Sequence, residues 1–357
     1  MSQQNMFRRF INRYLIDGLS GMALGLFSTL IVGLIVKQIG SGVGGHIGGM
    51  LIQIGSLALI TTGAGIGVGM AHKLKAPNLV VYASAVTGMF GAYAGKILAG
   101  SVLVGPTVHL LGPGEPLTAF LAAIVGIEMG RLVFGRTLLD ILITPIVTLV
   151  SGGVVAIFIG PAISSFMAYL GDIILFATQQ QPFSMGVIIS VLMGIFLTLP
   201  ISSAAISIIL GLKGIAAGAA TAGCAAQMIG FAVASYRENK VNGLLAQGLG
   251  TSMLQMPNIV KNPRIWIPAI VASAITGPIA TVIFAMENNP SGGGMGTAGL
   301  VGQIMTWNTM VGSESSTVLL IKIALTHFIL PAIIALGVSE WLRRIGWIKL
   351  GDMKINS

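Results

Sequence analysis

Apolar residues run through the chain in long stretches, near 18–36, 48–71, 78–104, 117–135, 138–160, 183–199, 201–212, 214–235, 266–286 and 316–342, and most charged side chains sit between them. A hydrocarbon layer of about 30 Å is crossed by ~20 helical residues, the length of most of these stretches. Backbone groups in lipid must pair within their own segment, so each stretch predicts a helix. The strands of a membrane barrel would alternate apolar and polar residues, and these runs do not. The pattern predicts an all-α polytopic membrane protein of about ten transmembrane helices, with residues 1–357 forming one membrane-embedded domain.

Four pieces depart from simple spans. Residues 1–17 carry Arg8, Arg9 and Arg13 on an amphipathic segment with no small-residue cleavage site, which predicts an interfacial helix and not a removed signal peptide. Residues 162–178 place Ile163, Phe166, Leu170 and Ile174 on one helical face, away from Ser164, Ser165 and Asp172, which predicts a second interfacial helix. Residues 241–264 set Leu244, Leu245, Leu249 and Met253 against Gln247, Thr251 and Gln255, the pattern of a cytoplasmic or interfacial amphipathic cover. The run 201–212 follows Pro200 and is short, which suits a re-entrant arm surrounded by protein or water.

Composition sharpens this picture. Only 8% of residues are charged and 54% are hydrophobic, too few charges to clothe a soluble protein of 357 residues. The 50 glycines suit helices that approach closely in lipid. The formal charge of +9 comes from basic residues scattered over short loops, which points to membrane topology and not to nucleic acid. Arg8, Arg9, Arg13, Lys73, Lys75, Arg131, Arg136, Arg237, Lys240, Lys261, Arg264, Arg343 and Arg344 fall on one side if both termini share it, and that side is then the cytoplasm. Cys224 is the only cysteine, which excludes an intrachain disulfide and a thiolate metal cluster.

Two loops break the pattern in a matched way. One runs from Gly105-Pro106 through His109 and Gly112-Pro113-Gly114 to Glu115-Pro116. The other runs from Gly277-Pro278 through Glu287-Asn288-Asn289-Pro290 to Gly292-Gly293-Gly294 and Gly296. Interrupted segments at corresponding places in two halves point to a transporter site and to an inverted repeat. The plainer alternative is that Gly/Pro clusters simply end helices, and both readings stand.

The candidate substrate-binding residues follow from this. Glu128 lies within or at the end of an apolar span, where an ionisable group costs at least ~3 kcal/mol and should face a cavity or a partner. Either it accepts hydrogen bonds from a substrate, or it pairs with Arg131 one turn away. His109, Glu115, Glu287, Asn288, Asn289 and Glu314 come from the interrupted regions and a polar patch, and Gln227, Gln255 and Asn308 offer carboxamides within apolar sequence. Carboxylates and amides suit a neutral polyhydroxyl ligand, since they accept and donate several hydrogen bonds without a counter-charge. Cross-helix bonding explains the amides equally well. Lys96, Lys322 and His327 also lie in or near spans and can pair structurally. Glycines from Gly294 to Gly302 mimic a dinucleotide spacing without a βαβ context, and there is no Walker A motif, no HExxH and no Ser/His/Asp set. Neither catalysis, nor a cofactor, nor a metal is expected.

Several segments resemble a known family. They are Asn12-Arg13-Tyr14 leading to Leu19-Ser20-Gly21-Met22-Ala23-Leu24-Gly25-Leu26-Phe27; Gly112-Pro113-Gly114-Glu115-Pro116; Thr137-Leu138-Leu139-Asp140-Ile141; Gly223-Cys224-Ala225-Ala226-Gln227-Met228-Ile229-Gly230-Phe231; Gly248-Leu249-Gly250-Thr251-Ser252-Met253-Leu254-Gln255; and Gly294-Met295-Gly296-Thr297-Ala298-Gly299-Leu300-Val301-Gly302-Gln303. Together they resemble phosphotransferase-system EIIC-like membrane proteins, a family that includes a type named as a regulator of a secreted bacterial toxin. The resemblance implies a multi-pass, homodimeric sugar or polyol permease of the bacterial inner membrane, with phosphate relayed by separate IIA and IIB proteins. The short Glu-containing signature of glucose-type members is absent, so their substrate glutamate does not carry over. Two rivals remain: a membrane sensor with a permease fold and no transport, and a secondary transporter coupled to protons through Glu128.

Overall fold

A computed structural model describes residues 9–104 and 107–355. Arg8, with the rest of the first eight residues, and Gly105-Pro106 of the first interrupted loop lie outside the described residues. The chain is an all-α polytopic membrane protein. Among the described residues the sole strands are β1 (Leu103–Val104) and β2 (Thr107–Val108), an antiparallel pair with Leu103 opposite Val108. The chain divides into two compact units, residues 1–166 and 167–356.

The first unit contains α1 (Ile11–Val43), α2 (Gly45–Ile60), α3 (Thr62–Lys73), α4 (Asn78–Leu98), α5 (Pro116–Val133) and most of α6 (Asp140–Thr178). Residues 11–17, expected within an interfacial helix, form the first turns of α1 without a break. α2 and α3 meet at a 55° bend, so α1 packs along both arms. Glycine makes this contact possible. A Cβ at Gly25 would lie 2.0 Å from the Gly65 carbonyl oxygen, and one at Gly69 would lie 2.3 Å from that of Gly21. Further along, Gly40 and Gly48 approach each other in the same way. In lipid no hydrophobic force pulls helices together, and such backbone contact supplies the dispersion energy instead.

The second unit is organised around α9 (Gly214–Ala234), whose residues from Ala217 to Met228 are all buried. From Gly214 to Ala226 its sequence is mostly Gly and Ala, whose small side chains let neighbouring backbones approach closely. Around it lie α7 (Pro182–Thr198), α8 (Ser203–Ile209), α12 (Pro263–Ile283), α13 (Val301–Met310) and α14 (Ser316–Arg344). Ser190 Oγ of α7 donates to the Ser273 carbonyl of α12 at 2.8 Å, while Ser273 Oγ donates to the Gly223 carbonyl of α9 at 3.1 Å. The remaining pieces are α10 (Tyr236–Leu245) and α11 (Met256–Lys261).

By length and apolar composition six described helices suffice to cross a membrane: α1, α5, α6, α9, α12 and α14. The bent pair of α2 and α3 adds a seventh. Two expectations need correction. No boundary separates a span at 138–160 from an interfacial helix at 162–178, because α6 runs for 39 residues straight through Pro145 and Pro161. Proline fits helical φ and removes one hydrogen bond, a loss that membrane helices tolerate. In residues 241–264 the polar face does not point outward: Gln247, Thr251 and Gln255 are buried, as is Met253, whereas Leu245 is exposed. The short run 201–212 contains only α8, a stub ended by Gly211 at φ 60°.

The glycine contacts yield a direct test. A Cβ at Gly223 would stand 1.9 Å from the Ser190 carbonyl oxygen, whereas one at Gly49 would meet nothing within 4 Å. Gly223→Ala should therefore destabilise the protein by at least the ~1–3 kcal/mol typical of overpacking. Gly49→Ala should leave stability unchanged or raise it, since helical Gly is less favourable than Ala by about 0.5–1 kcal/mol. Thermal unfolding of both variants in detergent checks the contrast.

Candidate functional site

α12 stops at Ile283 and α13 starts at Val301, and the chain between them is almost entirely irregular. Ala285, Gly296, Gly299 and Leu300 have φ between 44° and 60°, a left-handed region that only glycine enters without strain. Away from water every backbone group of such a segment needs a protein partner. It finds them on α9 and its neighbours. Asn288 N donates to the Gly214 carbonyl at 3.1 Å, Ser203 Oγ to the Gly294 carbonyl at 2.7 Å, and Thr221 Oγ1 to the Gly292 carbonyl at 3.3 Å. The glycines let the segment lie directly on these helices: a Cβ at Gly294 would sit 2.3 Å from the Ser203 carbonyl oxygen, and one at Gly296 would sit 2.6 Å from the Cys224 backbone.

Asn288 is the clasp of this arrangement. It is 1% exposed, and its Nδ2 reaches Thr221 Oγ1 at 2.7 Å, Thr306 Oγ1 at 2.9 Å and the Gly302 carbonyl at 3.0 Å. Its Oδ1 accepts from Asn289 N at 2.8 Å. With donors and acceptor all engaged, Asn288 holds the segment to α9 and α13. Asn289 is half-buried, and its Oδ1 accepts from Ser291 N and Gly292 N at 3.0 and 3.1 Å. Glu287 and Asn308 are exposed. Glu314 pairs with Lys322, whose Nζ also donates to the Phe284 carbonyl at 3.2 Å, tying α14 to the end of α12.

Two residues outside the expected substrate-binding set stand here: Gln303 on α13, and His327 on α14, for which only structural pairing was expected. Gln303 Nε2 and His327 Nδ1 lie 3.2 Å apart, and both residues are buried. Gln303 Oε1, His327 Nε2 and Glu314 Oε2 are buried polar atoms with no hydrogen-bond partner among the described residues. Leaving such a group unpaired costs about 1–3 kcal/mol, so each is a place where a ligand or a water molecule gains binding energy. Gln303 ends the Gly294–Gln303 run, and its position in that run is the signal that could have found it.

Other expected residues lie elsewhere. Gln227 is fully buried; its Oε1 accepts from Trp266 Nε1 at 2.8 Å and Thr198 Oγ1 at 3.3 Å, and its Nε2 donates to Ser273 Oγ at 3.3 Å. Gln255 Nε2 donates to Gln247 Oε1 and to the Met353 carbonyl, both at 2.9 Å, while its Oε1 accepts from Asn258 Nδ2 at 2.9 Å. Both carboxamides are occupied within the protein. In the first unit, His109 is exposed and its Nε2 lies 3.0 Å from Thr107 Oγ1. Glu128 forms a salt bridge with Arg13 at 2.6 Å and a looser one with Arg131 at 3.7 Å. Among the described residues no three His, Cys, Asp or Glu side chains are placed to hold a metal.

Glu115 caps α5, accepting from Leu117 N at 3.4 Å, while its own N–H donates to the Ala92 carbonyl at 2.7 Å. Burial pushes its carboxyl up to about 7, and the Leu117 hydrogen bond offsets this only in part. A raised carboxyl pKa means that the folded state holds the proton more tightly than the unfolded one. The resulting stability is complete below the unfolded pKa of 4.5 and is lost as pH rises through about 7. Melting temperature should accordingly fall between about pH 5 and pH 8, and Glu115→Gln should flatten that decline. Thermal unfolding across that range checks it.

No curated protein matches the chain. A model of the family described as phosphotransferase system, EIIC, matches residues 16–355. That match takes in both compact units and the interrupted segment with its clasp, and the chain therefore belongs to the phosphotransferase system EIIC family.

Proposed function

We propose that this chain is a sugar or polyol permease of a phosphotransferase system and that its substrate binds beside the interrupted segment 284–300. The family match supports the permease-type role. The observation that carries the location is the set of buried, unpartnered polar atoms on α13, on α14 and in the connection between them, Gln303 Oε1, His327 Nε2 and Glu314 Oε2. A carboxamide oxygen and a carboxylate accept, while an imidazole nitrogen accepts or donates with its tautomer. Such a set matches hydroxyl groups, each of which offers one proton and two lone pairs. Asn288 fixes the backbone around them, and Asn289 stands at the segment's half-buried side.

In this reading substrate enters a polar pocket near the membrane midplane, and movement of one part of the protein exposes it to either side. Both termini face the cytoplasm, following the basic residues at both ends of the chain and at the α5–α6 turn. The working form is a homodimer in the bacterial inner membrane. Separate IIA and IIB proteins perform phosphoryl transfer, and residues 236–264 offer them a cytoplasmic surface. The permease itself moves substrate without chemistry of its own.

Uptake by membrane vesicles holding this chain with IIA and IIB proteins should depend on phosphoenolpyruvate and survive collapse of the proton gradient. Uptake that vanishes with the gradient would replace this reading with proton coupling, and substrate binding without flux would replace it with sensing. For the site, Gln303→Leu should weaken sugar binding by about tenfold, the value of one or two lost hydrogen bonds, with little change in melting temperature. Asn288→Ala should instead lower the melting temperature. Loss of sugar binding in a folded Glu128→Gln variant would move the site to the first unit.

A further inference from the structure

The start of α1 and the stretch of α5 from Phe120 to Met129 line an open cavity of about 370 Å³ in the first unit. Phe10, Tyr14, Phe120, Leu121 and Ile124 form its apolar walls, and Glu128 is the sole charged residue lining it. Two guanidinium groups bracket that carboxylate. Arg13 approaches Glu128 Oε1 with Nη2 at 2.6 Å and Nε at 3.0 Å; Arg131 approaches with Nη1 at 3.7 Å and also donates to the Leu74 carbonyl at 3.4 Å. All three side chains remain about one-third exposed, at 34%, 32% and 29% for Arg13, Arg131 and Glu128. The cluster therefore carries one net positive charge at the mouth of an apolar cleft. Arg9 lies one turn before Arg13 on the same helix. Asp17, one turn after it, is exposed and forms no ion pair among the described residues.

We propose that this cleft is a binding site for one anionic phospholipid. The phosphate lies against the Arg13 and Arg131 N–H groups that Glu128 leaves available, and one acyl chain follows the groove between Phe10, Phe120 and Ile124. Guanidinium presents five donors in a planar fork suited to phosphate oxygens, and two forks facing one carboxylate leave donors over. Glu128 holds both forks in place, so no loop or rotamer must be ordered when the lipid arrives. The cavity is within the roughly 300–1,000 Å³ range of small-molecule sites, but its apolar walls offer a sugar no partners. A symmetric contact centred on this cleft would bring two clusters of net positive charge together, which disfavours a second copy as occupant. Basic pockets between membrane helices at the interface are suited to anionic headgroups by the same electrostatics.

The test uses the purified full chain in detergent, with native mass spectrometry and thermal unfolding as readouts. Phosphatidylglycerol should stay bound and raise the melting temperature. Phosphatidylcholine with the same acyl chains, or inorganic phosphate alone, should do neither. Leu121→Trp fills the groove while leaving the ion cluster intact, and should weaken phosphatidylglycerol retention by about tenfold or more. The charge-neutral triple variant Arg13→Gln, Glu128→Gln, Arg131→Gln should retain the two lipids equally. Equal stabilisation of the native protein by both lipids overturns the proposal, as does a full shift with phosphate alone or unchanged retention in Leu121→Trp. A monomer–oligomer change in Leu121→Trp would assign the cleft to a second copy instead. If the triple variant does not fold, the Leu121→Trp result decides.

Discussion

The structure of the second unit rests on one constraint: where water is absent, an irregular backbone must hydrogen-bond to protein. Residues 284–300 meet it because α9 exposes almost nothing but backbone and small side chains. Gly294 and Gly296 approach to distances that any Cβ would forbid, and the carbonyls of Gly292 and Gly294 then fall within reach of Thr221 and Ser203. Asn288 closes the arrangement with one fully engaged carboxamide. Glycine in the loop and alanine in α9 are thus one solution to one problem, since bulk in either would open gaps that neither lipid nor water could fill.

The same constraint explains why the polar groups near this segment divide into two kinds. Gln227, Gln255 and Asn288 have their hydrogen-bonding capacity taken up inside the protein. They buttress the structure. Gln303 and His327 meet each other through one atom and leave the other unmatched, and Glu314 gives one oxygen to Lys322 and leaves one bare. Residue type alone does not separate the groups, because glutamine occurs in both. What separates them is the number of partners that geometry supplies.

Much of the architecture was legible in the sequence because it depends on properties that add up along the chain. Apolar runs of sufficient length became helices, and the two interrupted loops fell where Gly and Pro cluster. The missing boundary at Pro161 shows the limit. A proline weakens a helix by one bond, and whether the helix continues depends on what packs beside it, which no local pattern records. Glu128 illustrates a different limit. Its pairing with Arg131 follows from i,i+3 spacing, but its tighter partner is Arg13, far away in sequence. Only the packing of α1 on α5 brings them together.

Residues 236–264 carry this furthest. Their periodicity places leucines on one side and amides on the other, and the amides would ordinarily face water. In the structure the amides face inward because the C-terminal segment supplies their partners: Asn239 and Gln255 donate to the Met353 carbonyl, Asn258 to the Lys354 carbonyl and Asn262 to the Trp347 carbonyl. The irregular backbone beyond α14 offers carbonyl and N–H groups, and a carboxamide side chain matches both. Arg343 and Glu238, a buried salt bridge at 2.8 Å, pin the end of α14 beside this strap. Removing one partner of such a pair strands a charge away from water, which makes the strap and the helix end cooperative. Hydrophobic periodicity identifies the face that meets lipid or core, but it is silent when a polar face has a private partner, and here the partner lies 85 to 114 residues further along the chain.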